Sequence, residues 1–105
     1  MLERTVLDKM VSMIVSIAQP RRVILFGSQA RKDATEESDI DLMILVDDKV
    51  TSTRSIVQAV YMEIQALAKM PCDVLVERES DFMARGALPT MERRILREGI
   101  VLYAA

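Results

Sequence analysis

Asp39, Asp41 and Asp73, together with the Gly27-Ser28 dipeptide, are the residues whose types and spacing could do chemistry. Asp39 and Asp41 head the apolar run DIDLMILV (39–46), and Asp73 sits near the head of another, CDVLVE (72–77). An ionised carboxylate buried without a partner is costly, so aspartates at such positions imply something cationic beside them. Alternate strand residues share a face, which puts Asp39 and Asp41 on one side, about 6.6 Å apart along the backbone. Side chains at that spacing can converge on one metal ion, or on two held roughly 3.5–4 Å apart. With Asp73 they make an all-oxygen donor set, which favours Mg2+ or Mn2+ over zinc. The chain contains no histidine, so any catalysis must rest on carboxylates, Lys, Arg, Ser or a metal.

These groups must be positioned by the elements around them. Val6, Met10, Met13, Ile14 and Ile17 repeat at helical spacing over residues 2–18, and Pro20 ends that helix. RVILF (22–26) predicts a buried strand that stops at Gly27-Ser28. QARKDA (29–34) predicts a short helix and TEES (35–38) a turn, before the second strand at 39–46. That strand is apolar on both faces beyond Asp41, which places it centrally. Ile56, Val57, Val60, Ile64 and Leu67 mark a helix over 53–68, capped by Ser52 or Thr53. A third strand follows at 72–77, then a turn of helix from Ser80. Pro89-Thr90 starts a basic helix (91–98) that Gly99 closes, and IVLY (100–103) ends as an edge strand or docked tail. The whole chain, 1–105, reads as a single α/β (α+β) domain with a small mixed sheet. For the end of the first strand to meet the head of the second, those two must be antiparallel. For Asp73 to join them, strands two and three must be parallel, with the 53–68 helix as crossover.

Simpler readings compete with each residue taken singly. A D-x-D pair can be a cap or turn, Asp73 a solvated turn residue, Gly27-Ser28 an ordinary strand exit, and Arg31 a solvated face. The methionines (Met10, Met13, Met62, Met70, Met83, Met91) are expected as core filler, some of them as partner surface. It is the combination, in order and on these elements, that favours a site. Bulk properties narrow the class. The formal net charge of −2 argues against a protein that grips nucleic acid directly. One cysteine excludes an internal disulfide, and no apolar run reaches membrane-spanning length. A soluble cytoplasmic protein is the expectation.

GSQAR (27–31) followed by SDIDL (38–42), with a lone aspartate on the next strand, resembles the DNA polymerase β-type nucleotidyltransferase superfamily. Within it the chain is most similar to the minimal nucleotidyltransferases, the MNT-domain proteins. Lys32 is a departure, since glycine is common there. The resemblance implies that Gly27 and Ser28 hold a triphosphate, that Asp39 and Asp41 bind the metal ions, and that Asp73 shares the catalytic metal and serves as general base. Glycine allows close backbone approach, and a hydroxyl with helix-start N–H groups can face phosphate oxygens. Arg31 is implied as a phosphate or partner contact. Minimal members of this kind pair with a HEPN toxin, and the resemblance implies an antitoxin that transfers AMP from ATP to a toxin tyrosine. It further implies a hetero-oligomer, with a homodimer as the free form. Two alternatives stand beside it, a binding-only antitoxin and an aminoglycoside-type small-molecule nucleotidyltransferase. A phosphoacceptor receiver domain also clusters aspartates, but its phosphorylated residue belongs at the C-terminal end of a strand.

Overall fold

The computed structural model describes residues 3–31, 39–68 and 70–105. Lys32, the TEES turn, Ser38 and the part of the expected short helix beyond Arg31 lie outside the described residues. The elements run α1 (Arg4–Ala18), β1 (Arg22–Phe26), α2 (Ser28–Arg31), β2 (Ile40–Val46), α3 (Thr53–Ala68), β3 (Cys72–Arg78), α4 (Glu79–Gly86), α5 (Met91–Glu98) and β4 (Ile100–Ala104). The four strands form one sheet in the order β3-β2-β1-β4. β1 is antiparallel to β2 and β4, while β2 and β3 are parallel, as the meeting of the strand ends requires.

β2 is central and buried on both faces. Ile40, Leu42 and Ile44 point toward α1 and α3, where they pack with Met10, Ile14 and Val60. Met43 and Leu45 point the other way and pack with Phe82 of α4 and Ile95 of α5. The result is three layers, a helix pair on each side of the sheet. Since successive strand residues alternate faces, the same alternation puts Asp41 on the α4–α5 side.

Local chemistry sets the helix ends. α1 stops because Gln19 turns left-handed at φ 46° and donates its N–H to Val15 O, one residue before Pro20. The Ser52 hydroxyl accepts from Ser55 N–H at 3.2 Å and caps α3. Thr90 caps α5 in the same way, accepting from Arg93 N–H at 3.2 Å. α4 is a full eight-residue helix and not the single turn expected from sequence. Its one deep anchor is Phe82, fully buried, with Glu79 and Asp81 favourably placed in the first turn. Arg85 of α4 donates to Glu77 of β3 at 2.6 Å, and Arg93 of α5 donates to the carbonyls of Gly86 and Ala87. Burial, followed by a hydrogen bond with Glu92, raises the pKa of Glu77, and Arg85 works against that rise. These contacts lock α4 and α5 to each other and to β3.

The methionine expectation needs correcting. Met10 and Met43 are core, but Met62, Met83 and Met91 are 73%, 48% and 47% exposed. Met62 stands off the Ile56/Val60/Ile64 stripe of α3, so helical spacing alone did not place it inward. Phe82→Ala should therefore cost about 3–5 kcal/mol, and Met62→Ala no more than about 0.5 kcal/mol. Urea denaturation of both variants checks the contrast.

Candidate active site

Parallel pairing sets Asp41 directly beside Asp73 across β2 and β3, and antiparallel pairing sets Phe26 beside Asp41 across β1 and β2. The end of one strand and the heads of two others thus meet at one margin of the sheet. Asp39 sits just before β2 and is exposed. Its charge reaches Asp41, as does that of Asp73, with which Asp41 shares a side-chain hydrogen bond. Burial first, then these two carboxylates, push the Asp41 pKa from 3.8 up to about 6, with Arg31 pulling the other way. The buried Cys72 thiol, pushed up to about 11 by burial and then by the three aspartates, stays protonated and is no nucleophile.

Gly27 follows β1 at φ +74°, where L side chains are strained. A Cβ there would run into the Asp41 carboxylate, so only glycine lets the chain turn this close to it. Ala30 and Arg31 donate their N–H groups to Gly27 O at 3.1 Å each, which winds α2 immediately after the turn. Ser28 opens that helix, and the buried side-chain amide nitrogen of Gln29 has no hydrogen-bond partner among the described residues. Arg31 closes α2 and reaches Glu98 of α5 at 3.7 Å. A small cavity of about 170 Å³ lies between Gly27, Arg31, Arg94 and Glu98. A larger cleft of about 440 Å³ adjoins it, sharing Phe26 and Met91 with the small cavity and lined also by Asp41, Asp73, Val57, Tyr61, Val74 and Leu75.

All six residues expected from the sequence therefore fall at one margin of the sheet. Asp41, Asp73 and Gly27 meet most closely, Asp39 stands just outside them, and Arg31 ties the region to α5. Among the described residues, no three metal-ligating side chains are already gathered into a preformed cage. Sequence reasoning missed Gln29 and Tyr61 and took Met91 only as one of the apolar methionines. Tyr61-Met62 carried a usable signal, two large apolar residues together on α3 beyond its buried stripe.

A family model described as polymerase beta, nucleotidyltransferase, matches residues 8–105. A provisionally named protein adenylyltransferase of Methanocaldococcus jannaschii, MJ0604, is 34% identical over 83 residues, 79% of this chain and 78% of that protein. A second from the same organism, MJ0141, is 63% identical over 30 residues, which is 29% of this chain and 30% of the relative. Among solved structures, a minimal nucleotidyltransferase superposes with TM-score 0.66 at 24% identity, covering 95% of both chains. A toxin–antitoxin structure with AMP-PNP gives TM-score 0.66 at 15% identity over 93% of this chain and 73% of that one. A complex of a tri-AMPylated Shewanella oneidensis HEPN toxin with an MNT antitoxin gives 0.64 at 14% identity, over 97% and 72%. At these identities the structural likenesses establish the fold.

The raised Asp41 pKa has a consequence for stability. The native state holds this proton between about pH 4 and pH 6 while the unfolded chain has released it. Metal-free stability therefore falls as pH rises through that window. Asp41→Asn removes the repulsion and should raise the metal-free melting temperature at pH 7.5 by a few degrees, where ~1 kcal/mol shifts a domain of this size by about 4–8 °C. The gain should vanish near pH 4. Thermal melts in EDTA at both pH values provide the check.

Proposed function

The chain belongs to the polymerase beta nucleotidyltransferase family, and on that premise we propose that it is a metal-dependent antitoxin that transfers AMP from ATP to a tyrosine hydroxyl of a cognate HEPN toxin. The observation that carries the reading is the in-register pair Asp41 and Asp73, with Gly27 pressed against the first of them. Like-charged carboxylates placed together are stabilised by a divalent cation, and a proton on Asp41 is the substitute when none is bound. Mg2+ is usually held by one or two carboxylates plus substrate phosphates and waters. Two adjacent carboxylates with a third nearby suit that kind of site. Asp39, Asp41 and Asp73 would hold Mg2+ or Mn2+, which when bound supplies positive charge to the triphosphate and to the developing charge on the leaving group.

The other residues have roles that follow from where they stand. Gly27 clears room for phosphate oxygens, and Ser28, at the start of α2, offers a hydroxyl to them. Asp73, on the exposed side of the pair, accepts the proton of the attacking hydroxyl. Arg31 adds positive charge on the phosphate flank. The adenylyltransferase name of the archaeal relative and the AMPylated HEPN toxin bound by a structural neighbour support AMP as the group and a protein as the acceptor. The partner accordingly would be a HEPN protein in a hetero-oligomer. No helix among the described residues is long and apolar enough to cross a membrane.

Co-expression with a HEPN protein from the same genome, followed by intact-mass spectrometry of that protein, tests the reading. The wild type should add one or more AMP groups to tyrosine, and Asp41→Asn should cut the rate at least about 100-fold. Equal binding by both forms with no mass gain would replace the transferase by a binding-only antitoxin.

A further inference from the structure

Met91, the first residue of α5, lines three adjoining cavities. One is the cleft that holds Asp41 and Asp73, and no cationic side chain lines it. Another is the small cavity at the Gly27 turn, where Arg31 and Arg94 stand with one carboxylate, that of Glu98. The last, about 540 Å³, is lined by Arg93, Arg94 and Arg97 with Pro89, Thr90 and Met91, and by no acidic side chain. The charge therefore changes sign along this margin, in a chain whose net charge is only −2. Carboxylates line one cavity, arginines line another, and the Gly27 cavity shares residues with both.

Fold stability does not explain these arginines equally. Arg93 donates to the carbonyls of Gly86 and Ala87 and ties α4 to α5. Arg97 lies in the last turn of α5, where a cation suits the helix dipole, and sits 3.9 Å from Glu98. Arg94 has neither reason. It stands in the first turn, where a cation opposes the dipole, and three residues from Arg97, so two like charges are neighbours on the helix. It is exposed, and its side chain makes no ion pair or hydrogen bond among the described residues. Glu98, the one carboxylate near it in the Gly27 cavity, is engaged by Arg31 and Arg97. Arg94 is the uncommitted cation, and it lines both the Gly27 cavity and the arginine cavity.

A ligand matched to this margin carries a cation at the carboxylates and several negative charges beyond the Gly27 turn. A nucleoside monophosphate lacks the second feature, and a magnesium-bound nucleoside triphosphate has both. We propose that Arg94, with Arg97 behind it, is a subsite for the β- and γ-phosphates of a nucleoside triphosphate, by which α5 selects triphosphate over monophosphate. The inference rests on the nucleotide-substrate part of the reading above and adds an arginine far from the GSQAR stretch to that site. A guanidinium offers a planar fork of N–H donors that holds two phosphate oxygens at once. A phosphate chain that runs past the Gly27 turn meets Arg94 before Arg97, because Arg94 alone of the two lines the Gly27 cavity.

The test is calorimetric binding of Mg·ATP, Mg·AMP, inorganic tripolyphosphate and a single-stranded RNA oligonucleotide. It compares wild type with Arg94→Gln, Arg97→Gln and, as a remote control on α1, Arg4→Gln. Arg94→Gln should weaken Mg·ATP and tripolyphosphate at least about tenfold, as loss of a charge-assisted contact implies, and leave Mg·AMP within about twofold. Arg97→Gln should act in the same direction and less, and Arg4→Gln should change none of them. Because Arg94 opposes the helix dipole, its removal should not lower the melting temperature, which separates lost affinity from lost folding. Unchanged Mg·ATP affinity in Arg94→Gln, or equal losses for Mg·ATP and Mg·AMP, would overturn the subsite. So would RNA binding that Arg94→Gln abolishes while Mg·ATP affinity stays, which would make α5 a nucleic-acid face. A selective loss of Mg·ATP affinity, with no AMP added to any co-expressed HEPN protein by the wild type, would sink the transferase reading and leave the phosphate subsite standing.

Discussion

Two carboxylates held side by side on adjacent parallel strands resist being ionised together, and the architecture around Asp41 and Asp73 is what holds them there. Their adjacency is a matter of register, Asp41 opposite Asp73 and Leu42 opposite Val74. A one-residue slip of β2 would turn Asp41 into the cluster that holds Met10, Ile14 and Val60, and would turn the apolar residues of that face outward. Double-sided burial of β2 therefore fixes the register, and the register concentrates the charge. Repulsion within the pair is small beside the burial of Ile40, Leu42, Met43, Ile44 and Leu45, each essentially inaccessible to solvent. At about 0.8 kcal/mol per buried CH2, that strand can carry a strained pair at its head.

The same reasoning explains what could be read from the chain in advance. β1, β2, β3 and α3 follow from apolar runs and periodicity, and their relative directions follow from asking how Gly27, Asp41 and Asp73 could meet. Those arguments use period and parity, which are sequence properties. α4 escaped because it has a single deep anchor, Phe82, and one anchor makes no period. Met10 and Met62 show the other gap. Both lie on helices among apolar neighbours, yet one is fully buried and the other mostly exposed. What separates them is which face of the helix the sheet covers, and only the assembled layers decide that. That Tyr61 and Met91 line one cleft was illegible for a related reason, since α3 and α5 lie on opposite faces of the sheet.

Asp41 also sits at a boundary between a closed flank and an open one. On the β1 side, Gly27 meets its carboxylate, α2 winds directly from the turn, and Arg31 ties that turn to Glu98 of α5. That flank is shaped by backbone, and what binds there must fit a fixed outline. On the β3 side the sheet ends. Side chains of α3, Val57 and Tyr61, line the cleft there. Asp73 is exposed at the head of β3, and its partner across the pair, Asp41, is the one that is half-buried. Placing the more solvated carboxylate outward and the more desolvated one inward gives the pair a direction, from the closed flank at Gly27 to the open edge of the sheet.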